Sequence, residues 1–317
     1  MAAIPIIIDT DPGIDDAVAL LVALAERERL EVLGITTVAG NVPLALTTAN
    51  ALRIVELAGR ADIGVYAGAA APLMRPLHSA VRVHGRDGLS GAGLPAPTLT
   101  PRAQHAVAFI IETLEAASPG AVTLCALGPL TNLALAFAQA PSLVDKVARL
   151  VLMGGTRDLG NVTPAAEFNF HTDPEAAAMV LRLGIPVVMH GLHLTYQAIA
   201  TPERVARIAA LDTTAARAVA GMLQRPPLPG MIERYGVPGY PLHDPCVIAF
   251  LLWPELFSGR DCFVDVETRG ETTLGRSTVD WWGVLGRAPN TLVVDRIDAD
   301  GYFARLTASL GTYGAAE

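Results

Sequence analysis

Short, uninterrupted apolar runs alternate with longer apolar-rich stretches along the first two thirds of the chain. Ile4 to Ile8 is a β-branched run that ends in acidic residues, and a run this short and this apolar predicts a buried strand. Asp15 to Glu28 follows with helical spacing, and Leu30 to Thr37 is a second strand-like run, so the three segments predict a βαβ unit. The rhythm continues with a helix near Leu44 to Ala58, a strand at Ile63 to Tyr66, a helix at Gln104 to Ala116 and a strand at Val122 to Ala126. Strands at Leu150 to Met153 and Pro186 to His190 flank a helix that starts at Pro174. Strands apolar throughout, alternating with helices, predict an α/β fold with a mostly parallel central sheet covered on both faces. Ligands in such sheets bind beyond the carboxyl ends of the strands.

Two stretches break the rhythm. Gly68 to Pro101 and Gln224 to Pro241 are rich in glycine and proline or otherwise irregular, and long loops of this kind in a compact enzyme are usually lids or binding loops, with plain disordered linkers as the alternative. The last third, Asp261 to Ile297, predicts an antiparallel C-terminal addition to the sheet edge, closed by a helix from about Asp300. No repeat or low-complexity tract divides the chain, and 317 residues with half of them hydrophobic suffice for one domain spanning 1–317.

Composition narrows the partners. A formal charge of -8 argues against nucleic acid, which favours a basic face, and for a small molecule or a metal. Only one of the 23 basic residues is a lysine, Lys146, so Schiff-base or phosphate-cradling chemistry has a single candidate. Cys125, Cys246 and Cys262 are odd in number and far apart, the pattern of reduced thiols. The apolar run at the N-terminus lacks a basic flank and is too short for a signal or a span. The uncharged stretch Ala121 to Val144 is broken by Gly128, Pro129 and Pro141. A cytoplasmic protein without a membrane segment is expected.

The sharpest chemical signal is Asp9, Asp11, Asp15 and Asp16, four carboxylates in eight residues between the first strand and the first helix. Helix capping accounts for one or two acids at such a position. Four repel one another unless a cation or shared protons compensate. Oxygen ligands with no neighbouring His or Cys point to a hard cation, Ca²⁺ or Mg²⁺. His243-Asp244-Pro245 offers a further carboxylate next to a group that titrates near neutrality, although Asp before Pro also caps helices.

These residues resemble a known family. Asp9-Thr-Asp-Pro-Gly-Ile-Asp-Asp16 is similar to the N-terminal signature of the inosine-uridine-preferring nucleoside hydrolases. Thr36-Thr-Val-Ala-Gly-Asn41, Leu127-Gly-Pro-Leu-Thr-Asn132, Met153-Gly-Gly155, Asn161 with Glu167-Phe-Asn169, Asp173-Pro-Glu-Ala-Ala177 and His243-Asp-Pro245 match the same family in order. The resemblance implies a Rossmann-like fold and calcium-dependent hydrolysis of ribonucleosides to free base and ribose, in salvage or catabolism, by a homodimer or homotetramer. It implies Ca²⁺ held by Asp11, Asp16, Asp244 and the Leu127 carbonyl. Asp11 would be the water-activating base, Asn41 would orient the water, and His243 would protonate the leaving base. Asp15 and Asn169 would hold the 2′ and 3′ hydroxyls, Asn161 and Glu167 the 5′ side, with Met153 and Phe168 lining the sugar pocket. His84 would be a second pocket histidine on the first irregular loop, the alternative being a solvated side chain, and Tyr235 would reach the base, the alternative being a surface or packing tyrosine.

One departure stands out. Many family members carry Gly-Leu-Asp-Leu-Thr where this chain has Gly191-Leu-His193-Leu-Thr195. Two rival readings remain at the level of sequence. A haloacid-dehalogenase-like phosphatase also begins with a strand ending in Asp-x-Asp, but it needs a cation near the phosphate, and Lys146 is badly placed for that role. A nucleoside- or sugar-binding protein that uses the same fold without turnover is the non-enzymatic alternative.

Overall fold

The first strand, β1 (Ile4–Thr10), runs two residues past its β-branched core because Asp9 and Thr10 still pair with Thr36 and Thr37 of β2 (Leu30–Thr37). Its side chains alternate between two layers. Ile6 and Ile8 enter one hydrophobic core and Ile7 the other, as a strand covered on both faces requires. The structure is a computed structural model and describes residues 2–90, 92–224 and 239–314.

A nine-stranded sheet has the order β10-β9-β11-β6-β5-β4-β1-β2-β3. It is built from β1, β2, β3 (Val65–Ala67), β4 (Val122–Ala126), β5 (Val147–Met153), β6 (Val187–His190), β9 (Phe257–Val266), β10 (Ser277–Asp280) and β11 (Thr291–Ile297). Strands β1 to β6 and β11 pair in parallel, while β9 pairs antiparallel with β11 and β10 with β9. The antiparallel addition is therefore smaller than the sequence suggests, since β11 joins the parallel sheet through β6. Strand β3 also starts later than its apolar run, because Ile63 is held in a turn by its N–H bond to Arg60. Strand β1 lies between β2 and β4, and strand order reverses there, which creates the crevice where open α/β sheets bind ligands.

The helices cover both faces. On one side lie α1 (Ile14–Ala25), α2 (Leu44–Leu57), α9 (Pro202–Ala209), α10 (Thr214–Leu223), α11 (Pro245–Leu252) and α12 (Ala299–Leu310); on the other lie α4 (Ala106–Ala116), α5 (Thr131–Gln139) and α7 (Pro174–Leu181). Helix α1 is buried from Ile14 to Leu24, packed against α2, α10, α11 and α12. That explains why its sequence is apolar all round. Short pieces bring the remaining side chains to the crevice: α3 (Val81–His84), α6 (Phe168–Thr172), α8 (Leu192–Thr195), and the antiparallel pair β7 (Ile199–Ala200) and β8 (Tyr240–Pro241). Lys146 ends a 3₁₀ turn (Pro141–Lys146) and donates to the Ala117 carbonyl at 2.6 Å. Among the described residues, no helix is long and apolar enough to cross a membrane.

Candidate active site

After Thr10 the chain turns through Asp11, Pro12 and Gly13 into α1, and the carboxylate of Asp16 ties the turn together. It accepts from the Gly13 N–H at 2.9 Å, the Thr10 hydroxyl at 2.5 Å and the Asp11 N–H at 3.2 Å. Capping thus accounts for Asp16. It does not account for Asp244, which begins α11 yet makes no capping bond with its side chain. Candidate ligand atoms of Asp15, Asp16 and Asp244 lie within 4.8 Å of one another, all buried. Asp11 lies beside them and accepts from the Asn41 N–H at 2.7 Å through Oδ2, while its buried Oδ1 has no partner. Gly40 and Gly128 close on this carboxylate so tightly that a Cβ at either would come within 2.1 Å and 2.4 Å of its oxygens.

The electrostatics follow from crowding. Burial, then repulsion from Asp16 and Asp15, pushes the Asp11 carboxyl well above the ordinary carboxylate range. Burial, then Asp15, Asp16 and Asp11, does the same to Asp244. Burial and Asp16 raise Asp15 to about 7. Carboxylates so placed hold either protons or a cation. The all-oxygen donor set, the orphaned Asp11 oxygen and the glycine-lined cradle around it fit a hard cation such as Ca²⁺. The Leu127 carbonyl, at the turn after β4, accepts from the Asn169 amide at 2.7 Å.

Above this floor opens a cavity of about 640 Å³. Asp15, Asn41, His84, Leu127, Met153, Asn161, Glu167, Phe168, Asn169, His243 and Asp244 all line it. Asp11 and Asp16 lie buried alongside Asp15 and Asp244, outside the cavity lining itself. Tyr235 lies outside the described residues. The Asn169 amide also donates to the Met153 carbonyl at 3.1 Å, which links the turns after β4 and β5. Glu167 caps α6 and accepts from the N–H groups of Gly155, Asn169 and Phe170, and burial raises its carboxyl to about 7. His84 is buried rather than solvated on its loop. It sits on the one-turn helix α3, accepts from the Ile14 N–H at 3.1 Å and packs against Gly13.

His243 is held by a residue that sequence motifs did not single out for this role. Its Nδ1 lies 2.6 Å from the Thr195 hydroxyl, and its ring meets Tyr196 edge-on. Burial lowers its pKa to about 4. In the neutral tautomer where Thr195 donates to Nδ1, the ring N–H sits on Nε2 and can donate a hydrogen bond; giving a proton away requires the imidazolium, in which the Thr195 oxygen accepts from Nδ1–H instead. His78, Arg82, Tyr196 and Tyr240 also line the cavity without having been singled out. No spacing pattern connects them to the acidic cluster; only the folding of separate loops over the crevice does.

Comparison with known proteins agrees with this geometry. Residues 6–304 match the family model described as inosine-uridine preferring nucleoside hydrolase. The pyrimidine-specific ribonucleoside hydrolase RihA of Shewanella sp. strain MR-7 is 47% identical over 309 residues, which cover 98% of this chain and 96% of that protein. Among solved structures, a plant nucleoside hydrolase, PpNRh1, superimposes with a TM-score of 0.86 at 31% identity, covering 97% of this chain and 98% of its own. A purine-preferring ribonucleoside hydrolase from Gardnerella vaginalis gives 0.87 at 29% identity, with the same coverage.

Proposed function

Because the chain belongs to the inosine-uridine preferring nucleoside hydrolase family, we propose that it hydrolyses the N-glycosidic bond of ribonucleosides with the help of Ca²⁺, releasing free base and ribose. The observation that carries this reading is the buried cluster of Asp11, Asp15, Asp16 and Asp244 beyond the carboxyl end of β1, of which Asp15 and Asp244 reach the cavity.

Each side chain has a task. Asp15 and Asn169 hold the 2′ and 3′ hydroxyls, Asn161 and Glu167 reach the 5′ side, and Met153 and Phe168 pack against the sugar. The unpartnered Oδ1 of Asp11 takes a proton from the attacking water, which Asn41 helps to orient. As the C–N bond lengthens, positive charge develops on the ribose ring, and surrounding carboxylates stabilise it. His243, once protonated on both ring nitrogens, gives its Nε2 proton to the departing base and returns to the neutral imidazole, with His84 in the same cavity. Calcium, when bound by Asp11, Asp16, Asp244 and the Leu127 carbonyl, offsets the carboxylate repulsion and lowers the pKa of the water.

Identity near one half to proteins named pyrimidine-specific supports a preference for uridine and cytidine over inosine. The same reading makes this a one-domain cytoplasmic enzyme of nucleoside salvage or catabolism, working as a homodimer or homotetramer. Measuring base release from uridine, cytidine, inosine and adenosine in calcium buffer tests it. Pyrimidine substrates are expected to exceed purines by about tenfold or more in kcat/KM. A reversed order would overturn the base preference, and binding without release of any base would overturn hydrolysis itself.

A further inference from the structure

Between β5 and α6 the chain arches over the cavity as residues 154–166, and this arch contributes Asn161 and Val162 to the lining. Its base is tied to three separate elements. The Gly155 N–H donates to Glu167 at 2.9 Å. Thr156 exchanges bonds with the Ser277 hydroxyl, 2.7 Å each way. The Arg157 N–H donates to Nδ1 of His193 at 3.1 Å, and Nε2 of the same ring lies 3.1 Å from the Val294 carbonyl on β11. Further along, Asn161 and Val162 bond only within the arch, to the Ala166 carbonyl. The His193 bond is therefore the last of these ties before the segment that reaches the cavity.

We propose that His193 is a positioning residue for the 5′ end of the substrate, bracing the arch against β11 so that Asn161 meets the ribose 5′-hydroxyl. The proposal rests on the assignment of Asn161 to the 5′ side.

A neutral imidazole suits the place because it must accept from one backbone group and donate to another. Burial and the nearby Arg157 lower the ring's pKa to about 4, which keeps it neutral. A carboxylate there would accept from Arg157 but oppose the Val294 oxygen. Arg157 is itself steadied, stacked over Trp281 at 4.4 Å and paired with Asp295 at 3.8 Å, so the brace joins two ordered surfaces. Gly191 leaves room for the ring: a Cβ there would come within 2.7 Å of it.

The test compares uridine with 5′-deoxyuridine in the calcium-loaded full-length protein, in three forms: wild type, His193→Leu, which removes both ring bonds at similar volume, and His193→Asn, whose amide oxygen can still accept from Arg157. Wild type is expected to favour uridine by about tenfold or more in kcat/KM. His193→Leu should reduce that ratio to about threefold or less by slowing uridine selectively, while His193→Asn stays within about threefold of wild type. Equal losses on both substrates in His193→Leu would overturn the proposal, because a purely structural defect does not sense the 5′-hydroxyl. Should His193→Leu not fold, His193→Asn decides alone, and a collapsed ratio there overturns the brace to Arg157. A wild-type ratio near one removes the 5′ assignment itself, whereas absence of any uridine hydrolysis removes the functional reading beneath it.

Discussion

Asp16 and Asp244 occupy similar places at the starts of helices and are used differently. Asp16 ties the turn that shapes the pocket floor as well as facing the other carboxylates, while Asp244 caps nothing and its carboxylate lines the cavity. Replacing Asp244 by alanine should consequently lower calcium affinity by more than the roughly 10- to 100-fold typical of outer-shell partners. Leu127 offers only its backbone, so Leu127→Ala should bind calcium within about threefold of wild type. Because its side chain is fully buried, it should lose about 2–5 kcal/mol of stability. Calcium titration of both variants, with folding checked by circular dichroism, measures the difference; equal loss of calcium in the two would refute a backbone ligand. The acidic cluster was legible because four like charges in eight residues have few inexpensive explanations. Thr195 was not, since its contact with His243 spans 48 residues and leaves no trace in local spacing.

Elements were legible in proportion to their length. Strands β2 and β4 match their predicted ranges end to end; β4 is buried throughout, and β2 is buried apart from the exposed Glu31 and the half-buried Leu33. The four-residue helices α3 and α8 and the two-residue strands β7 and β8 span only about one period of a helix or strand pattern, too little for a repeat to announce them. These pieces nevertheless carry His84, His193 and Thr195. At the end of β6, His190 is fully buried between Phe250 and Phe257, and neither ring nitrogen has a hydrogen-bond partner. Burial lowers its pKa from 6.5 to about 3. The folded protein thus refuses a proton that the unfolded chain accepts, so stability is full above about pH 6.5 and falls as the pH drops toward 3. At pH 4.5 the loss is about 2–3 kcal/mol. His190→Leu should remove it, so urea unfolding should show the variant gaining on wild type by that amount between pH 7 and pH 4.5. An unchanged difference between the two proteins would show that His190 titrates normally.

Across the whole molecule, the fold concentrates negative charge at the reversal of strand order. Burial raises Asp9 to about 6 and, with Asp16, Asp15 to about 7; burial alone raises Glu167 to about 7. Folded values above the unfolded ones mean that the native protein binds extra protons. Their stabilising contribution is full below about pH 4 and is lost as pH rises through about 6–7. Under the proposed function, calcium would replace those protons at the cluster. The rise in Tm on adding calcium should therefore grow from pH 5 to pH 8. A calcium effect independent of pH would argue against proton–metal competition.

Uridine turnover by metal-stripped protein, measured again after calcium is restored, tests the carboxylate–calcium chemistry most directly. With calcium and no phosphate in the buffer, uracil and ribose should appear in equal amounts. After exhaustive chelation the rate should fall by about 100-fold or more and return when calcium is added back. Undiminished release of uracil from protein shown by elemental analysis to hold no metal, or a requirement for phosphate, would contradict it.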